Sequence, residues 1–283
     1  MSDEAILLVD NGSLRPAAVF SLRGLCRRLR AGLNQEVHPV SIMHSDKINP
    51  DLLDDRPAEI YETALRLRVA RGIRKFIVLP LFFGPSRAIS KFIPLATAVV
   101  RAEFHDLEVR VAPPLVDPQN PDDNRVAQIL RDQVFQTMRL QKLERPMVVT
   151  VDHGTPIQPV ADVRNFIGKQ LETLLGDAVS AFAVASMERR DGPEYDFNEP
   201  LLGRVLRTPP FCDGRVVVSM MFLNPGRHAG PGGDVAKICD EAQQYCPHLR
   251  TCMTELVAEH PLLLSILRDR YKAALQATPL GRV

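Results

Sequence analysis

The sequence predicts an α/β protein with two tandem doubly wound domains, each a mainly four-stranded parallel sheet flanked by helices. Two observations lead there. Short apolar runs alternate with stretches of helical spacing along the whole chain, the pattern of successive βαβ units. The pattern is also written twice: "LLVDNGS" at 7–13 is answered by "VTVDHGT" at 149–155, and "PLFFGPSRA" at 80–88 by "MMFLNPGRH" at 220–228. The two matches occur in the same order and at nearly the same separation, which marks a duplicated unit. The polar stretch "LQKLERP" at 140–146 precedes the second copy, so the domains are expected at 1–143 and 144–283.

In the first half the expected strands lie near 5–10, 37–43, 75–83 and 107–115. In the second they lie at 147–151, 181–187, 215–223 and 249–256. Each is a short apolar run, as strands covered on both faces require. Between them Val160, Val163, Phe166, Ile167, Leu171, Leu174 and Leu175 recur at helical spacing, as do Leu201, Leu202, Val205 and Leu206. A chain of 283 residues with 45% apolar residues can bury two such cores.

The formal net charge is only +1, so there is no global field for a nucleic-acid backbone or an anionic membrane, and neither is expected as a partner. No apolar run approaches the length that spans a bilayer, and the opening "MSDEAILLVD" has acids where a signal peptide has basic residues. A cytoplasmic protein is expected. Its five cysteines form no CxxC pair, which fits reduced thiols. Cys239, Cys246 and Cys252 cluster in sequence, but their spacings match no standard cluster pattern, so no iron–sulfur cluster is expected.

In open α/β sheets ligands bind beyond the carboxyl ends of the strands. In the second half those exits carry His153, Gly154 and Thr155; then Glu188, Arg189 and Arg190; then the loop from Pro225 to Gly233 with Arg227 and His228. His153, Glu188 and His228 can therefore converge as metal ligands. Imidazole with carboxylate suits first-row divalent ions, and three protein ligands leave positions open for exchange. Gly154, Gly226, Gly230, Gly232 and Gly233 would let the backbone pass close to a large flat ligand and offer N–H groups to its anionic substituents. Arg189, Arg190 and Arg227 would meet its carboxylates. A single histidine at a strand exit is more often a polar cap than a ligand. The duplication changes the balance: aligned on the repeat, His153 falls on Asn11, Glu188 on Asp46 and His228 on Ala88, so one copy has the paired histidines and the other lacks them.

At these residues the chain resembles the sirohydrochlorin cobaltochelatase and ferrochelatase family of the tetrapyrrole chelatase superfamily, in its long tandem form. The resemblance rests on "VDHGT" and on "FLNPGRHAGPGGDV" and extends through both halves in strand order. It implies ATP-independent insertion of a divalent metal into a metal-free tetrapyrrole, with no organic cofactor. His153 and His228 would bind metal and assist loss of the pyrrole protons, with Glu188 as the nearby carboxylate. Thr155, Arg189, Arg190, Arg227, Gly226, Gly230, Gly232 and Gly233 would contact the macrocycle. The partners would be a tetrapyrrole and Co²⁺ or Fe²⁺, with Ni²⁺ left open by the same ligand set. The first half departs from the family pattern at Asn11, Ser86 and Ala88 and is expected to be catalytically silent, forming a wall of the tetrapyrrole cleft or stabilising the second domain. The tandem halves would serve as a pseudo-dimer within a monomer. Two other classes fit the same residues: a tetrapyrrole or metal carrier without turnover, and a zinc hydrolase, against which stands the absence of an HExxH helix.

Overall fold

The computed structural model describes residues 4–281. Its elements are β1 (Glu4–Asp10), α1 (Pro16–Leu33), β2 (Val37–Ser41), β3 (Glu59–Ile60), α2 (Tyr61–Val69), β4 (Lys75–Pro80), α3 (Ile93–Glu103), β5 (Glu108–Val111) and α4 (Arg125–Gln141), then β6 (Met147–Asp152), α5 (Gln158–Leu175), β7 (Ala181–Ser186), α6 (Leu202–Val205), β8 (Gly214–Met220), α7 (Asp234–Tyr245), β9 (Leu249–Met253) and α8 (Leu262–Gln276).

The strands form two parallel sheets, one of five strands in the order β3-β2-β1-β4-β5 and one of four in the order β7-β6-β8-β9. The fifth strand of the first sheet is the two-residue β3, too short to be seen as an apolar run. Every residue of β6 is buried, as a central strand covered on both faces demands. Helix α5 lays Ala161, Val163, Ile167, Leu171 and Leu175 toward its sheet, and a side chain at Gly168 would collide with Val184.

The compact units divide the chain differently from the expected boundary at 143. Unit 1 comprises residues 1–117 and 261–283, and unit 2 comprises 118–260. Helix α4 buries Val126, Ile129, Leu130 and Val134 and packs on α5 and β8, with Gln133 Nε2 donating to Leu256 O at 2.9 Å. Helix α8 packs on α1, β4 and β5, and Arg270 Nε donates to Pro114 O at 2.7 Å. Each half of the sequence thus ends in a helix that belongs to the other unit. Nothing local in the sequence signals this, because an amphipathic helix reads the same whichever sheet covers it.

Except for β1 and β6, the strands that the apolar runs announce are shorter than those runs. The run at 215–223 leaves the sheet after Met220, although Met221 N still donates to Val151 O at 2.9 Å and its side chain stays buried. Among the described residues no helix is long and apolar enough to cross a membrane. Burial pushes the Cys239 thiol up to about 11 and raises the Cys252 thiol as well.

Candidate active site at the strand exits of unit 2

Strand β6 ends on Asp152, only 7% exposed, and the residue paired with it on β7 is Ser186. Ser186 Oγ donates to Asp152 Oδ1 at 2.7 Å and accepts a close hydrogen bond from Arg164, which is 1% exposed on α5. Burial pushes the Asp152 carboxyl above the usual carboxylate range, against the Ser186 hydrogen bond and the Arg164 charge, which pull it down. The guanidinium also donates to Phe197 O at 2.9 Å and Asn198 O at 3.1 Å. A buried charge needs this much bonding to be tolerated.

On this base the chain turns through His153, Gly154 and Thr155. Gly154 has φ +90°, and a side chain there would collide with the carbonyl oxygen of Glu188, so only glycine lets the two exits run so close. Met187 N donates to Asp152 O at 2.7 Å and Glu188 N to His153 O at 3.2 Å, which sets the two exits side by side. Thr155 is clamped at both ends of its peptide by Asn198, whose Oδ1 accepts from Thr155 N and whose Nδ2 donates to Thr155 O, each at 2.9 Å.

The third exit follows β8. Here Gly226 N donates to Ala229 O at 2.9 Å and Gly233 N to Gly230 O at 3.0 Å, folding the loop back so that Asp234, the first residue of α7, reaches His228. Asp234 Oδ2 lies 2.8 Å from His228 Nδ1, and this hydrogen bond, with help from Lys237, lowers the Asp234 carboxyl below its ordinary value. A side chain at Gly233 would come within 2.8 Å of His228 O.

The result brings the three expected residues together. His153 Nε2 lies 3.2 Å from Glu188 Oε1, and the His153 and His228 rings sit 4.5 Å apart, centroid to centroid, at 48°. His153 Nδ1 faces Gly154 O at 3.0 Å and His228 Nδ1 faces Asp234. Both partners can only accept, so each Nδ1 donates and each Nε2 is the nitrogen left for a metal or a proton. This is the way metal-binding histidines are commonly oriented. The 3.2 Å between His153 Nε2 and Glu188 Oε1 suits two neighbouring donors each about 2.1 Å from one cation. The side chains nevertheless meet in pairs. Among the described residues no group of three or more histidine, cysteine, aspartate or glutamate side chains is gathered so that it could hold a metal ion as it stands. His153 and Glu188 are 48% and 60% exposed and have room to turn, whereas His228 is fixed by Asp234.

The surrounding residues separate into two groups. Arg190 and Arg227 are exposed, Arg190 over the Tyr195 ring and Arg227 Nε 3.4 Å from Asp234. Arg189 is instead turned into its own loop, on Glu199 at 2.9 Å, Gly192 O at 2.9 Å and Asp196 at 3.0 Å. Thr155, Gly226 and Gly233 have their N–H groups bonded within the protein, so they shape the loops rather than offer donors to a ligand. Gly230 and Gly232 have φ +114° and +69°, which places them in the same turn-making role. Arg164, Asp234 and Asn198 are not among the residues that the sequence motifs single out. Arg164 carried a signal, a charge on the otherwise apolar stripe of α5.

Unit 1 repeats the frame without the side chains. Asp10 pairs with Ser41 in register, Ser41 Oγ donates to Asp10 Oδ1 at 2.7 Å, and Gly12, with φ +88°, would collide through a side chain with the Met43 carbonyl. Since Gly154 meets Glu188 in the same way, the counterpart of Glu188 is Met43, not Asp46 as equal spacing suggests. The chain is three residues shorter from Asp10 to Ser41 than from Asp152 to Ser186, in the segment that follows the equally long helices α1 and α5, so equal spacing misplaces the match. Unit 1 thus presents Asn11 and Met43 where unit 2 presents His153 and Glu188.

Residues 5–137 match the family model CbiX, so the matched half is the one without the paired histidines. No curated protein matches the sequence. Three solved structures share the fold over nearly the whole chain. SirB from Bacillus subtilis with Fe3+ aligns at a TM-score of 0.65 and 16% identity over 96% of both chains. The sirohydrochlorin chelatase SirB from Bacillus subtilis subspecies spizizenii, in complex with cobalt, aligns at 0.66 and 14% over 96% of both. CbiX, described as the terminal enzyme for biosynthesis of siroheme in denitrifying bacteria, aligns at 0.58 and 13%, over 95% of this chain and 99% of its own. The two parallel α/β sheets are therefore chelatase-like in fold, and residues 5–137 are similar to the CbiX family.

Proposed function

We propose that this protein inserts a divalent metal, cobalt or iron, into sirohydrochlorin or a closely related acidic tetrapyrrole, and that unit 2 performs the reaction. The observation that carries this reading is the meeting of His153 with Glu188 at 3.2 Å and with the His228 ring at 4.5 Å, at the exits of three strands. The metal is a substrate, so exposed donors that can turn toward it and release it suit the task better than a closed cage. The Nε2 atoms of His153 and His228 receive the metal or the protons leaving the pyrrole nitrogens. Glu188 accepts a proton from His153, and Asp234 keeps the proton of His228 on Nδ1. Arg190 and Arg227, both exposed, face the carboxylates of the macrocycle. No nucleotide or organic cofactor enters this scheme, and we place the protein in the cytoplasm as a monomer.

The test is a metal-by-tetrapyrrole insertion assay followed by absorption. Protein with sirohydrochlorin and Co²⁺ or Fe²⁺ is expected to outpace the protein-free control. His228→Ala is expected to lose at least about 100-fold in rate, the usual scale of a proton-transfer group, while Asn11→Ala keeps the parental rate. Equal rates with and without protein for every metal would reject the reading. Because the family match covers the half without histidines, a carrier is the second reading; stoichiometric tetrapyrrole binding without turnover would favour it.

A further inference from the structure

We propose that unit 1 contains a binding site for a small tetrahedral oxyanion such as phosphate or sulfate, in the cavity lined by Arg23, His38 and Arg68. The cavity measures about 120 Å³ and lies between α1, the outer part of β2 and the chain at Pro57 to Glu59. It exists because of one side chain. Helices α1 and α5 start in step after Asp10 and Asp152, so Leu22 stands where Arg164 stands. In unit 2 the Arg164 guanidinium fills this place and bonds Ser186, Phe197 O and Asn198 O. In unit 1 Leu22 stops short, and Ser41, the counterpart of Ser186, is left on the cavity wall.

The charges around that opening do not balance. Arg68 is 7% exposed; its Nη1 donates to Glu59 Oε2 at 2.6 Å and to Ala64 O at 2.9 Å, but its Nε has no acceptor among the described residues. A buried donor left so is costly, and a ligand atom on it recovers that cost. Arg23 donates to the carbonyls of Leu53 at 2.9 Å and Pro57 at 3.5 Å and to that of Arg56, and the Asp54 carboxylate acts on it through space. The cavity wall itself carries two guanidinium groups, Arg23 and Arg68, and one carboxylate, Glu59. Guanidinium groups bind tetrahedral oxyanions through paired N–H groups. The volume admits a few waters or one such anion and falls well below the ~300 Å³ at which pockets for larger organic ligands begin.

Calorimetric titration and thermal unfolding with sodium phosphate, sulfate, acetate and chloride at equal ionic strength test this on the full chain. One phosphate or sulfate is expected to bind per chain, with the melting temperature rising as its concentration rises, while acetate and chloride do neither. Arg23→Met is expected to weaken phosphate binding at least tenfold. Arg68→Met removes a buried ion pair and risks unfolding, so Arg68 is read in the parent protein by the ¹⁵N resonance of its Nε, which is expected to shift with phosphate and not with chloride. Equal melting in phosphate and chloride, an unmoved Nε resonance, full affinity in Arg23→Met, or acetate binding as tightly as phosphate would each overturn the proposal.

Discussion

The exits of β1 and β6 are built on one plan and carry different chemistry. Both strands end in a buried aspartate that accepts from a serine on the neighbouring strand at 2.7 Å. Both turn at a glycine of φ near +90° pressed against the carbonyl of the next exit. These features belong to the fold: a strand that leaves a sheet beside another must satisfy its last polar groups and clear the adjacent backbone. What differs is the outward side chain. Asn11, Met43 and Ala88 in unit 1 answer His153, Glu188 and His228 in unit 2, and only the second set offers imidazole nitrogens and a carboxylate. The frame aims whatever side chain stands there, and the sequence at a few positions decides whether it is useful.

The comparison can be broken first at Arg164. Arg164→Leu copies the Leu22 of unit 1 but strands Asp152 as a buried carboxylate, and is expected to cost about 3 kcal/mol, read by urea denaturation. A loss below 1 kcal/mol would show that unit 2 tolerates the arrangement of unit 1 and that the guanidinium is not what holds its loops. Next come the two glycines. Gly154→Ala and Gly12→Ala are each expected to cost about 2 kcal/mol through the strained turn and the collision with a carbonyl. Similar losses sharpen the comparison, and a harmless substitution at either one breaks it. The smallest effect is expected at Asp234→Asn, which keeps the shape but removes the charge behind His228. A rate loss of about tenfold with little change in melting temperature is the expected result, and an unchanged rate would leave Asp234 with a purely structural part.

Much of the site was legible before any coordinates. The motifs VDHGT and NPGRHAGPGGDV placed His153 and His228 at strand exits, and the structure brings them and Glu188 side by side. The residues that hold them were harder to read. Asn198 sits far along the chain from the Thr155 it clamps. Arg189 reads as a free cation beside Glu188, yet its own loop supplies two carboxylates that turn it inward. Gly226 and Gly233 read as open donors, but their N–H groups are bonded to Ala229 O and Gly230 O within the loop.

The sequence by itself determined the alternation of strands and helices, the duplication, and which copy carries the histidines, because each is written in spacings of a few residues. Tertiary structure alone decided that α4 and α8 pack with the other half's strands, that Met43 rather than Asp46 stands opposite Glu188, and that Arg164 fills in unit 2 the place left open in unit 1. Those outcomes depend on which segments, distant along the chain, compete for the same buried space, and no local pattern encodes the winner.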